Sequence, residues 1–175
     1  RMETIQTYEA DASAMGRINA WTMAINIANS RITGAGFATD SPIIYHAYAP
    51  NPNFVIVAHS IYFQILGEHG YIGLALYLLF WGLTLQTSTR VIKLAKGLPD
   101  AEWALQLASM VRVALIGFAV GGAFLSLAYW DMPFYYMLIL VVTQRWVKDR
   151  LAEERSRPAG AAPVEQPSAS QLQMN

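Results

Sequence analysis

Five side chains able to hold or exchange a proton or a hydrogen bond, His59, Ser60, Gln64, Glu68 and His69, fall within eleven positions of one stretch. That stretch, AHSIYFQILGEHGYIGLALYLL from Ala58 to Leu79, contains two of the three histidines of the chain, and no charged residue follows from Tyr71 to Leu85. A neutral imidazole at His59 can take a proton from a sugar hydroxyl near neutral pH. At the edge of an apolar run the same ring can instead cap a helix or pack. Glu68 and His69 carry the same two readings, acid–base work or a polar interfacial role. His46, in a proline-rich stretch, reads as solvated.

Arg17 stands one helical step before Trp21, with Gly16 beside it. A guanidinium can grip a phosphate or pyrophosphate through two parallel hydrogen bonds, which Lys cannot reproduce, or it can be a solvated face charge. Arg31 has the same ambiguity at a helix end, where a cation also suits the helix dipole. Tyr45, Tyr48 and Tyr62 can stack on sugars or sit as interfacial aromatics. Arg112 falls inside an apolar run but close to its basic end, where snorkelling accounts for it. No metal cage, nucleophile elbow or phosphate-cradling glycine loop is present, so neither a metal nor a cofactor is expected. Gly34 and Gly36 in TGAGF lack the third glycine and the strand context of a dinucleotide fingerprint.

The elements that must position these groups are helical. Residues 1–11 read as strand or loop. Asp11 or Ser13 offers an N-cap for an amphipathic helix over 12–31, with Ala14, Ile18, Trp21, Ile25 and Ala28 as its apolar stripe. Its interspersed Asn19, Asn26 and Asn29 suit a protein or membrane surface better than a lipid crossing. Residues 32–57, with Gly34, Gly36, Pro42, Pro50 and Pro52, read as a long loop. Ser60 can cap a short helix over 60–69. Gly67, Gly70 and Gly73 recur at every third position as a small-residue face for close helix contact.

Hydropathy then takes over. A span is expected over 71–89, a basic connection over 90–102 with Arg90, Lys93 and Lys96, and a second span over 103–128. A turn over 129–133 follows, with Asp131 as N-cap, then a short third span over 134–147 extended by Trp146 and snorkelling Arg145. Lys148, Arg150, Arg155 and Arg157 come next. Two basic clusters in short connections mark the cytoplasmic side, which places 1–70 outside the cytoplasm and 148–175 inside it. The tail beyond Pro158, rich in Ala, Pro, Ser and Gln, reads as disordered. The fold expectation is an all-α polytopic membrane protein fragment with about three transmembrane helices and an extracytoplasmic helical loop region.

Composition agrees with a membrane reading. Of 175 residues 54% are hydrophobic and 14% charged, against roughly 25% charged in soluble domains, and mean hydropathy is +0.29. Lys plus Arg and Asp plus Glu are 12 each, so no global field recruits nucleic acid. With no Cys, disulfides and thiolate metal sites are excluded. The sequence starts at Arg1 without the layout of a signal peptide, which reads as a fragment or domain boundary.

Two blocks together, DASAMGRINAWTMAINIANSRITGAGF and AHSIYFQILGEHGYIGL, resemble the C-terminal part of the O-antigen ligase superfamily. The resemblance is closest to O-glycosylation ligases associated with the exosortase system, and it covers residues 1 to about 80. It implies a glycosyltransferase-type ligase of the bacterial inner membrane, with its site facing the periplasm. The implied partners are a polyprenyl-diphosphate-linked glycan donor, a hydroxyl-bearing acceptor and membrane lipids. Arg17 matches the loop arginine that holds undecaprenyl diphosphate, His59 the histidine that activates or positions the acceptor, and Glu68 a frequent acidic position. Many relatives have a proline before the paired glycines, where this chain has Ile32 and Thr33. The family also uses an arginine from upstream helices, so the fragment alone is expected to be inactive. A glycan polymerase of the same superfamily is the alternative, and from another class a transporter or scaffold for polysaccharide export.

Overall fold

The computed structural model describes residues 2–156, all-helical with no strand among them. The tail expected to be disordered, and Arg157 of the basic cluster, lie outside the described residues. The order is α1 (Met2–Ser30), α2 (Pro42–Tyr48), α3 (Ile61–Ala95), α4 (Glu102–Gly122) and α5 (Met132–Ser156). Helices α3, α4 and α5 pack into an up-down-up bundle, while α1 and α2 pack as a cap that reaches the bundle through α3.

Two helices, α3 and α4, are long and apolar enough to cross a membrane. Beyond its kink, α3 rises roughly 37 Å over 71–95 at 1.5 Å per residue, more than the hydrocarbon core of about 30 Å. Their outward faces are apolar: Ile72, Leu76, Leu79 and Leu83 on α3, and Met110, Val113, Ile116 and Val120 on α4, are all exposed. Helix α5 adds a similar band at Phe134, Leu138, Ile139, Val141 and Val142, which keeps a third crossing compatible with the fold. So much contiguous apolar surface has its solvent in lipid. Inside the bundle, Thr84 and Thr87 donate to carbonyls one turn back, and Ser88 donates to the Ala108 carbonyl of α4 at 2.8 Å.

At the basic end of the bundle, Val91, Ala95, Ala104, Ala108, Leu140 and Val147 form one core, and Trp103 meets Trp146 at 4.8 Å between centroids. Arg112 is half-buried and donates to the Thr89 hydroxyl at 3.1 Å. Its charge is therefore anchored across the α3–α4 interface.

Several local expectations are corrected. Residues 2–11 are not strand or loop, because α1 already runs from Met2, and Asp11 and Ser13 lie inside the helix instead of capping it. The buried face of α1 is Gly16, Asn19, Ala20, Met23, Ala24, Ile27 and Ala28. Of the expected stripe only Ala28 lies on it: Trp21 is half-buried, Ala14 is exposed, and Ile18 and Ile25 are 52% and 38% exposed. The same 3.6-residue period fits both faces, and the cap selects the one with small residues because the chain crosses it closely. The loop over 32–57 contains α2, whose Ser41 hydroxyl caps the Ile44 N–H with Pro42 in the first turn. Ser60 stands at the N-cap of α3 without a side-chain cap bond; its carbonyl accepts from Gln64 N–H at 2.9 Å instead.

Candidate functional site

The cap is stitched to the bundle by side chains of α1. Asn19 lies on the buried face, and its amide donates to the carbonyls of Asn51 at 2.9 Å and Phe54 at 3.1 Å while its oxygen accepts from Asn51 N–H at 2.8 Å. One buried amide thus bonds three backbone groups of the 51–54 turn. Asn26 donates to the Tyr48 carbonyl. These contacts lay the extended segment 51–58 along α1, and they leave no room at Gly16, where an added Cβ would come within 2.8 Å of Phe54 and Ile56.

Trp21 completes the seam. Its indole N–H donates to the Ala58 carbonyl at 2.7 Å, and its ring stacks on Phe63 at 4.8 Å and 9° between planes. The residue after Ala58 is His59, half-buried and held at φ +46. A left-handed conformation in a non-glycine residue costs on the order of 1–3 kcal/mol and persists where its surroundings fix it. Here the Trp21 bond on one side and the start of α3 on the other do so. Arg17, one turn before Trp21 on α1, is half-buried, and its Nε is a buried donor with no hydrogen-bond partner among the described residues. Arg17, four residues before Trp21, and His59, one residue after Ala58, thus flank the Trp21–Ala58 bond along the chain. Gln64 Oε1, one turn into α3, is also buried without a partner.

Other expected site residues occupy different surroundings. Tyr45 is 0% exposed among Ala20, Met23 and Ile27, and its hydroxyl donates to the Ile56 carbonyl at 2.5 Å. Its ring is thus a core element and not an open stacking face, which corrects its expected substrate role. Burial first, offset by that bond and assisted by Asp40, raises its pKa above the usual phenol value. Tyr48 is half-buried beside it and Arg31 is exposed just past the end of α1. Tyr62 donates to the Ala119 carbonyl of α4 at 2.9 Å and so ties the first turn of α3 to the bundle.

Glu68 is 6% exposed and sits where α3 breaks. The break is at Gly70, with φ +64 and ψ −164, a conformation essentially reserved for glycine. Gly34, also at positive φ, approaches so closely that an added Cβ would lie 2.5 Å from the Glu68 carbonyl. Ala35 and Gly36 donate to the carbonyls of Gly67 and Glu68. The kink is thereby locked to the loop leaving α1. The Glu68 carboxylate accepts the hydroxyl proton of Tyr129, from the α4–α5 turn, and that hydroxyl lies 2.9 Å from His69 Nε2. Tyr129 opens the turn expected over 129–133; its partners are 60 and 61 residues away, and no local pattern marks them.

Taken together, these features define a helical membrane protein with a helical cap at one end of its bundle, in which the Trp21–Ala58 bond lies between Arg17 and His59 along the chain. Residues 1–78, the cap and the start of the first long apolar helix, match the O-antigen ligase family model. No curated protein and no solved structure matches the chain.

Proposed function

We propose that the chain is the C-terminal part of a membrane glycan ligase that moves a glycan from undecaprenyl diphosphate to a hydroxyl of a lipid or protein. The transfer takes place outside the cytoplasm, on the periplasmic side of a bacterial inner membrane. The observation that supports this reading is the Trp21 bond to the Ala58 carbonyl, which ties the turn of α1 after Arg17 to the residue before His59.

The chemistry asks for two things. The acceptor oxygen bonds to the anomeric carbon as its proton passes to His59, and the bond from that carbon to the diphosphate oxygen breaks with inversion. A positioned base contributes typically 10²–10⁴-fold to such a step. The charge growing on the diphosphate is met by the Arg17 guanidinium, whose Nε has no hydrogen-bond partner among the described residues. No metal is called on. The topology supporting the sidedness is the basic end formed by Arg90, Lys93, Lys96, Arg145 and Lys148, opposite the cap. The sequence blocks around Arg17 and His59 support the exosortase-associated O-glycosylation subgroup.

Transfer of a fluorescent or radiolabelled glycan from its undecaprenyl diphosphate to acceptor, in proteoliposomes of the full-length protein, tests the proposal. Arg17→Ala and His59→Ala should insert normally and lose transfer. Wild-type transfer by both variants would remove these residues from the reaction. If product forms only when a second lipid-linked glycan is the acceptor, the enzyme is a polymerase. Glycan movement without any new glycosidic bond would make it a transporter.

A further inference from the structure

Apart from Arg17 and His59, three aromatic rings from three separate segments meet beside the kink of α3. Phe37, 72% exposed, sits edge-on to His69 at 5.1 Å and tilted to Tyr129 at 5.7 Å, while His69 and Tyr129 are themselves edge-to-face at 6.2 Å. Tyr129 is 49% exposed and His69 partly so. Beneath them lies the buried Glu68.

Donor and acceptor counting orients the group. The single Tyr129 O–H proton goes to Glu68. The Tyr129 oxygen can then accept from His69 Nε2, and in the neutral ring with that tautomer Nδ1 is the remaining acceptor. A pyranose combines an apolar C–H face with a rim of hydroxyl donors, and it complements exposed ring faces surrounding one oriented acceptor. A lipid chain would use the rings and leave the carboxylate–phenol–imidazole chain without purpose.

We propose that Phe37, His69 and Tyr129 form a saccharide-binding corner, in which His69, oriented through Tyr129 by Glu68, accepts a hydrogen bond from a sugar hydroxyl. The choice of ligand class rests on the glycan reading above, but the corner is separate from the transfer centre. Tyr129 and Glu68 are positioning residues here; His69 touches the sugar.

Saturation-transfer NMR on the full-length protein in detergent micelles, with methyl glycosides of glucose, galactose and N-acetylglucosamine as probes, tests the corner. The expected result is transfer to the ring C–H protons of at least one glycoside. Phe37→Ala should weaken that binding about tenfold, near 1.4 kcal/mol, and Phe37→Trp should retain it. Because Phe37 is so exposed, its truncation leaves the fold intact, checked by an unchanged elution profile. Tyr129→Phe keeps the ring but releases His69, so the ¹⁵N shifts of its imidazole should change from one tautomer to a mixture. Glycoside binding should persist in Arg17→Ala and His59→Ala even where transfer is lost. Absence of binding for every glycoside, equal binding by Phe37→Ala, or loss of binding only in the Arg17 and His59 variants would overturn the corner while leaving the transfer centre standing.

Discussion

Replacing Gly70 by Ala puts the geometry of the cap directly under load. Gly70 holds φ +64 and ψ −164, and an added Cβ would lie 2.1 Å from the Ile32 carbonyl oxygen and 2.6 Å from Gly34 N. Both neighbours are backbone, so no flexible side chain can move aside. The conformation costs on the order of 1–3 kcal/mol for a non-glycine residue. Relieving the overlap costs about 1–3 kcal/mol more. At roughly 2–4 °C per kcal/mol for a chain of this size, Gly70→Ala should lower Tm by at least about 4 °C. Gly82, on the same helix with nothing within 4 Å of its added Cβ, is the control, and Gly82→Ala should be neutral or slightly stabilising. Thermal unfolding of detergent-solubilised protein, followed by intrinsic fluorescence, provides the comparison. A Tm for Gly70→Ala equal to that of Gly82→Ala would refute the locked kink.

Two further outcomes follow from the cap. Asn19→Ala removes the side-chain bonds to the Asn51 N–H and to the Asn51 and Phe54 carbonyls, each worth about 0.5–1.5 kcal/mol, so limited proteolysis should cut within 49–58 well before the wild type. Tyr45→Phe should cost about 0.5–1.5 kcal/mol through its lost bond to Ile56. The Tyr45 pKa is raised on folding, so its share of stability is fully present below the unfolded value of 10.0 and declines as pH rises past it. Thermal unfolding at neutral pH and at about pH 10.5 should therefore show a smaller alkaline loss in Tyr45→Phe than in the wild type.

What could be read from the residues, and what could not, divides along the range of the interactions. The all-helical class and the long apolar helices follow from hydropathy and period, which are local. The face of α1 that packs did not follow, because stripes through Ile18 and through Met23 have the same spacing, and only the segment 51–58 lying across Gly16 and Ala20 selects between them. The start of α1 was misplaced because capping residues such as Asp11 and Ser13 also occur inside helices. The regular glycines at 67, 70 and 73 signalled close approach, but that Gly70 meets Gly34 depends on a loop more than thirty residues away. Arg17 and His59 stood out by residue type and by resemblance, whereas Tyr129 and Asn19 matter through partners distant in sequence. Tyr45 was mistaken for an open aromatic because a buried tyrosine with a satisfied hydroxyl has no sequence signature.

The central claim is a division of labour between Arg17 and His59. Single-turnover transfer from pre-bound glycan undecaprenyl diphosphate, measured with donor affinity in the same proteoliposomes, separates the two roles. His59→Ala should bind donor as the wild type does and transfer at least about 10²-fold more slowly. Arg17→Lys, which keeps the charge but not the paired hydrogen bonds, should lose donor affinity as well as rate. Wild-type single-turnover rates in both variants would contradict it.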